Sequence, residues 1–99
     1  MDDMSVCAKR MLDLTLAMLA AAEKGDFSLL TELERQRSDL FSTFSREGAS
    51  PLALKDTWLE LQRLDQRIVS LVEQERDMAE AELKRLRSVR KAAKAYTAL

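Results

Sequence analysis

The fold is decided by one stretch, residues 51–96, PLALKDTWLELQRLDQRIVSLVEQERDMAEAELKRLRSVRKAAKAY. It has no Gly and no Pro after its first residue, and Leu, Ala, Glu, Gln, Lys and Arg dominate it, all strong helix formers. Its start carries helix signals: Ser50 as N-cap, Pro51 at the first helical position and Asp56 adding negative charge near the first turn. Apolar residues recur at steps of three and four through Leu54, Trp58, Leu61, Leu64, Ile68, Leu71 and Val72. Beyond Val72 the stripe shifts to Met78 and Ala79, then Leu83, Leu86, Val89, Ala93 and Tyr96. A helix of roughly 45 residues spans about 67 Å, more than any other part of the chain can cover.

Two shorter helices precede it. The first is expected from Ser5 to about Lys24, with Met4, Cys7 and Ala8, Met11, Leu14, Met18, Ala21 and Ala22 on one face. Leu12, Leu16 and Leu19 widen that stripe, and Lys9 and Arg10 lie opposite. Methionine packs adaptably, so Met11 and Met18 suit either an ordinary core or a surface that accepts a partner helix. Gly25 fits the C′ position and Asp26 the next N-cap. A link that short makes the second helix, Phe27 to Arg46, an antiparallel neighbour. Phe27, Leu30, Leu33, Leu40, Phe41 and Phe44 form its apolar face. Arg37 interrupts that face, as a snorkelling or salt-bridging side chain at the seam or as a binding residue. Glu47-Gly48-Ala49-Ser50 then turns the chain into the long helix.

The expected architecture is a single all-α domain, 1–99, an antiparallel three-helix bundle with helices at about 5–24, 27–46 and 51–96. Two helices of about 20 residues are about 30 Å long, so the third overhangs beyond about Leu71. Glu75 and Glu82 fall where the earlier heptad phase places apolar residues, and the seam rotates there. Leu83, Leu86, Val89 and Tyr96 still form a stripe, with Lys84, Arg87, Lys91 and Lys94 roughly opposite. An uncovered amphipathic helix needs something to lie on, which implies self-association as a homodimer or a foreign partner.

Composition excludes several function classes. The 99 residues carry a net charge of −1, with 33% charged and 46% hydrophobic side chains, which suits a long-helix protein. There is no His, the commonest metal ligand and general base. No phosphate loop, metal cluster or nucleophile–base pair is visible, so no cofactor and no catalysis are expected. One cysteine, Cys7, forbids an intrachain disulfide and fits a reducing compartment. The opening MDDM is acidic, unlike a signal peptide, and the most apolar run, Met11 to Ala22, is too short to span a bilayer. A cytoplasmic protein without membrane insertion is expected. Six basic residues and no acid lie between Lys84 and Lys94. A cationic helix end is what the macrodipole favours, and only Tyr96 supplies an aromatic there, so direct nucleic-acid binding is not expected.

The run LDQRIVSLVEQER, Leu64 to Arg76, looks like the first helix of helical chorismate mutases. The positions where that family places substrate-gripping basic residues fall on Trp58, Glu75 and Leu86, none of them basic, and too little chain follows Arg76 for its remaining helices.

The chain as a whole resembles the FliT family of flagellar export chaperones over about residues 5–96. GDFSLLTELERQRSDLF, Gly25 to Phe41, is similar to that family's second helix. LDQRIVSLVEQER resembles part of its long third helix, and RKAAKAY, Arg90 to Tyr96, the basic segment that closes it. The resemblance implies a secretion chaperone. It would hold the C-terminal helix of the filament cap protein, deliver it to the export apparatus and, in some members, restrain a flagellar transcription regulator. Relatives continue into a short fourth helix, whereas this sequence ends three residues after Tyr96; the expectation is that binding needs no opening step. The alternative is a structural coiled-coil adaptor that only self-associates. For the chaperone, the cargo helix is expected in one apolar groove lined by the Met-rich first helix and the second half of the third, with Leu71, Met78, Leu83 and Leu86 as the partner-binding residues and Met11 and Met18 adapting to cargo. Lys84, Arg87, Lys91 and Lys94 would steer acidic partners, and Tyr96 closes the surface.

Overall fold

The computed structural model describes residues 3–46 and 55–98. Three helices follow in order: α1, Asp3–Lys24; α2, Phe27–Arg46; and α3, Lys55–Thr97. Among the described residues there is no strand. The expected Glu47–Ser50 turn, the Ser50 cap, Pro51 and Leu54 lie outside the described residues, as does the side chain of Met4.

The α1–α2 turn follows from two residues. Gly25 sits at φ 74°, a left-handed conformation that costs glycine nothing and a residue with a Cβ a good deal. From there the Gly25 N–H reaches the Ala22 carbonyl at 3.1 Å and the Asp26 N–H the Ala21 carbonyl at 2.9 Å, the paired bonds of a Schellman ending. Asp26 at once caps α2, its carboxylate accepting from the Leu29 N–H at 3.1 Å. The chain therefore reverses within two residues and lays α2 back along α1.

α1 is the middle helix, packed against both α2 and α3. Its buried face is Ala8, Met11, Thr15, Met18, Ala21 and Ala22. The alanines near the turn let α2 and α3 close in, and Met18, Ala21, Ala22, Leu30 and Ile68 form one core cluster with Leu19, Phe27, Leu33 and Leu71 around it. Farther from the turn, Phe44, Leu61 and Leu64 are buried. There Phe41 and Phe44 both meet the Trp58 ring edge-on, with centroids 5.7 and 6.2 Å away, a geometry that suits the ring quadrupoles.

The bundle stops well short of the end of α3. Glu23, near the end of α1, approaches Arg67 at 3.9 Å, so the α1–α2 turn lies level with this part of α3. Leu71 is the last half-buried residue, and every residue from Val72 to Ala98 is exposed. The result is a rod of 76 × 20 × 20 Å whose far part is a bare helix.

Candidate partner-binding surface

Because α1 separates α2 from α3 over much of their length, a groove runs between the two with α1 as its floor. Among the described residues one polar bridge crosses it. Nη1 of Arg37 on α2 donates to Asp65 Oδ1 on α3 at 2.5 Å and to Thr15 Oγ1 on α1 at 3.1 Å. The Thr15 hydroxyl, wholly buried, donates in turn to the Met11 carbonyl at 2.8 Å. One guanidinium thus ties all three helices, which settles Arg37 as a salt-bridging residue.

On either side of the bridge the groove opens into a cavity. One, of about 340 Å³, is walled by Met11, Phe41, Trp58 and Leu61, with Glu34, Ser38 and Gln62 at its rim. Among the described residues the Trp58 Nε1–H has no acceptor. The other, of about 460 Å³, is the more apolar: Met18, Leu30, Ile68, Val69 and Val72 wall it, and Glu34 and Glu73 stand at the edge. This second cavity faces the bare part of α3, and Val72 belongs to both.

The residues expected at a binding surface therefore fall in two places. Met11 and Met18 are buried in the floor of the groove, one at each cavity. Leu71 packs on the core cluster where the bundle ends. Met78, Leu83 and Leu86 lie beyond it, each at least half exposed, and Tyr96 near the helix end is 82% exposed. Lys84, Arg87, Lys91 and Lys94 are exposed along the same stretch. The structure does not bring Met11 and Met18 beside Met78, Leu83 and Leu86, because α1 ends at Lys24, level with the start of the overhang.

The charged surface is organised mainly along each helix. Arg85 binds Glu82 at 2.6 Å, Arg63 binds Glu60 at 2.6 Å and Arg35 binds Glu32 at 2.7 Å. Each of these hydrogen-bonded guanidiniums holds its carboxyl below the usual carboxylate range. Such i,i+3 pairs support the helix. Among the described residues no group of three acidic, His or Cys side chains is placed to hold a metal. No described helix is long and apolar enough to cross a membrane.

Thr15, Asp65 and Val69 contribute to this surface without having been singled out in the sequence. A signal was present for one of them. Asp65 interrupts the apolar face of α3 much as Arg37 interrupts that of α2, and opposite charges in neighbouring stripes imply a bridge.

A long third helix bare beyond Leu71, an α1–α2 pair joined by a glycine turn, and an apolar groove leading onto the bare stretch agree with the resemblance noted above. The family model described as flagellar protein FliT matches residues 6–98. The chain belongs to the FliT family. That is a family of flagellar chaperones and not of enzymes, so protein partners of flagellar export, rather than a substrate, are what its surfaces serve. No curated protein and no solved structure matches the chain.

Proposed function

We propose that this FliT-family protein is a cytoplasmic chaperone that holds the C-terminal segment of the flagellar filament cap protein as an amphipathic helix and delivers it to the type III export apparatus. The observation that supports this reading is an apolar cavity at the end of the bundle with exposed apolar residues on the helix beyond it. The cavity walled by Met18, Leu30, Ile68, Val69 and Val72 opens toward the stretch that carries Met78, Leu83 and Leu86. A helix laid in such a groove is held by anchors spaced three and four residues apart. Met11 and Met18 in the floor can repack around different cargo side chains. Leu71 marks the junction between groove and overhang.

Lys84, Arg87, Lys91 and Lys94, with Tyr96 beyond them, form the surface that steers acidic partners, among them export components and, in this reading, a flagellar transcription regulator. Such rim charges act mainly on association rate. The overhang also serves as the contact of a homodimer, because its apolar residues have no cover within the described chain.

Hydrogen exchange with and without the cap protein's C-terminal segment tests the reading. Slowed exchange from Ile68 to Leu86 is expected. Protection confined to the outer face of α2 would reject the groove.

A further inference from the structure

We propose that the bare part of α3 pairs with the same stretch of a second copy in antiparallel orientation, in one register set by its charges. The proposal gives a geometry to the homodimer of the preceding section and rests on that reading alone, independently of cargo.

The overhang is electrically divided. Between Glu73 and Glu82 there are five acidic residues and one basic; between Lys84 and Lys94 there are six basic and no acidic. All are exposed. Two such helices side by side attract when they run in opposite directions, because the acidic half of each then lies along the basic half of the other. Running in the same direction, they set like charges against like over their whole length.

The stripe narrows the choice to one register. Val72, Ala79, Leu83, Leu86 and Ala93 share a face at helical spacing, with Arg76 and Arg90 interrupting it. In a parallel pair Arg76 would meet the partner's Arg76 in the seam, and Arg90 the partner's Arg90. In the antiparallel pair that sets Leu83 against the partner's Leu86, Arg90 faces the partner's Ala79 and Arg76 the partner's Ala93. Those methyl groups leave room for the arginine stems to run out to water.

The residue following each of Val72, Ala79, Leu86 and Ala93 is charged, giving Glu73, Glu80, Arg87 and Lys94, a row of two acids and then two bases at seven-residue spacing. These are the flanking positions that set orientation in paired helices. In this register Glu80 meets the partner's Arg87, and Glu73 the partner's Lys94. The two-fold axis makes each contact twice. On the other flank Glu75 meets the partner's Tyr96, whose hydroxyl can donate to the carboxylate. Sliding by one heptad either way sets Arg87 against the partner's Arg87 or Glu80 against the partner's Glu80. Among the described residues Glu73, Arg87 and Lys94 have no ion-pair partner, and Glu80 has only a 4.0 Å approach from Arg76.

The length of the overhang agrees independently. This register puts Val72 across from the partner's Thr97, so its axis falls between Lys84 and Arg85. That is the midpoint of the stretch from Val72, where the unbroken run of exposed residues begins, to the last residue of α3, Thr97. The pairing covers the bare helix from end to end and stops where the partner's bundle begins.

Two surface double variants test the pairing in sedimentation at micromolar concentration and low salt: Glu73→Lys/Glu80→Lys and Arg87→Glu/Lys94→Glu. Circular dichroism checks that each stays helical. The wild-type chain is expected to dimerise and each variant alone to pair at least about tenfold more weakly, because all four contacts become repulsive. An equimolar mixture restores every opposite-charge contact and is expected to recover the wild-type dimer. A parallel pair, in which Glu80 faces the partner's Glu75, would be strengthened by Glu80→Lys. A monomeric wild type, variants that pair as the wild type does, or a mixture that stays monomeric would each overturn the proposal. Val69→Asp changes the cavity wall outside the paired stretch, so its dimer should match the wild type's, and loss of cargo binding in that variant reads the chaperone proposal separately from the pairing.

Discussion

Arg37 and Asp65 are joined across the groove by a 2.5 Å ion pair whose guanidinium also reaches Thr15 on the middle helix. The Asp65 side chain is 44% exposed and that of Arg37 21%, so water screens the pair and its charge contributes modestly. The Arg37 side chain is mostly buried, so its loss also removes packing, while the Thr15 hydroxyl can keep its bond to the Met11 carbonyl. Arg37→Ala is therefore expected to cost about 1–2 kcal/mol in chemical denaturation, and Asp65→Asn less than about 1 kcal/mol. A loss from Asp65→Asn as large as that from Ile68→Ala would mean the bridge carries far more of the fold than its exposure allows.

The two parts of α3 should respond differently to truncation. Ile68 is buried in the core cluster, and Ile68→Ala is expected to destabilise by about 2–4 kcal/mol through lost contacts and the cavity left behind. Leu86 is half exposed, and in dilute solution Leu86→Ala should change stability by less than about 0.5 kcal/mol. At higher concentration a dimer adds stability by mass action, and a penalty for Leu86→Ala should emerge. Unfolding midpoints at two concentrations for both variants check this.

Most of the architecture was legible in the sequence because it rests on helix rules. The glycine turn after Lys24, the Asp26 cap and the overhang beyond Leu71 follow from spacing and helix length alone. Side-chain placement was less legible. Phe41 and Leu16 read as core yet are 43% and 46% exposed, since a three-helix bundle has room for only the centre of a wide stripe. Thr15, which no apolar stripe includes, is wholly buried, because its hydroxyl has an acceptor on its own helix and a donor on another. The placing of Met11 and Met18 away from Met78, Leu83 and Leu86 depends on where α1 ends relative to α3. No helical period encodes that offset.

Acid should loosen the helices in a defined direction. Glu32, Glu60 and Glu82 titrate below the ordinary carboxylate value of 4.5 because Arg35, Arg63 and Arg85 hydrogen-bond them. A group whose folded pKa is lowered stabilises the fold fully above its unfolded value and ceases to do so as pH falls through the folded one. Helicity by circular dichroism should hold from neutrality to about 4.5 and decline below it. The decline should be smaller for Arg85→Gln, which has less to lose. Equal acid sensitivity in the two proteins would remove these pairs as the cause.

Cargo binding and self-pairing draw on the same side chains. Replacing Leu83 and Leu86 together by Ser is expected to abolish the dimer and to weaken cargo binding by at least about 2 kcal/mol if both are central anchors. Because the second copy competes for that surface, the apparent affinity of the wild type for cargo should fall as its own concentration rises. A fully helical double variant with unchanged cargo affinity would place the cargo elsewhere.

The chaperone reading is tested most directly by calorimetric titration of the cap protein's C-terminal segment into the wild-type chain and into Val69→Asp. Val69 is 52% exposed on the wall of the apolar cavity, outside the stretch that pairs with a second copy. The substitution should leave folding and dimerisation intact while setting a charge against the cargo helix. The account predicts saturable binding of one segment per chain, weakened by about 1–3 kcal/mol in the variant. Absence of binding to the wild type, or equal affinity for both proteins, would contradict it.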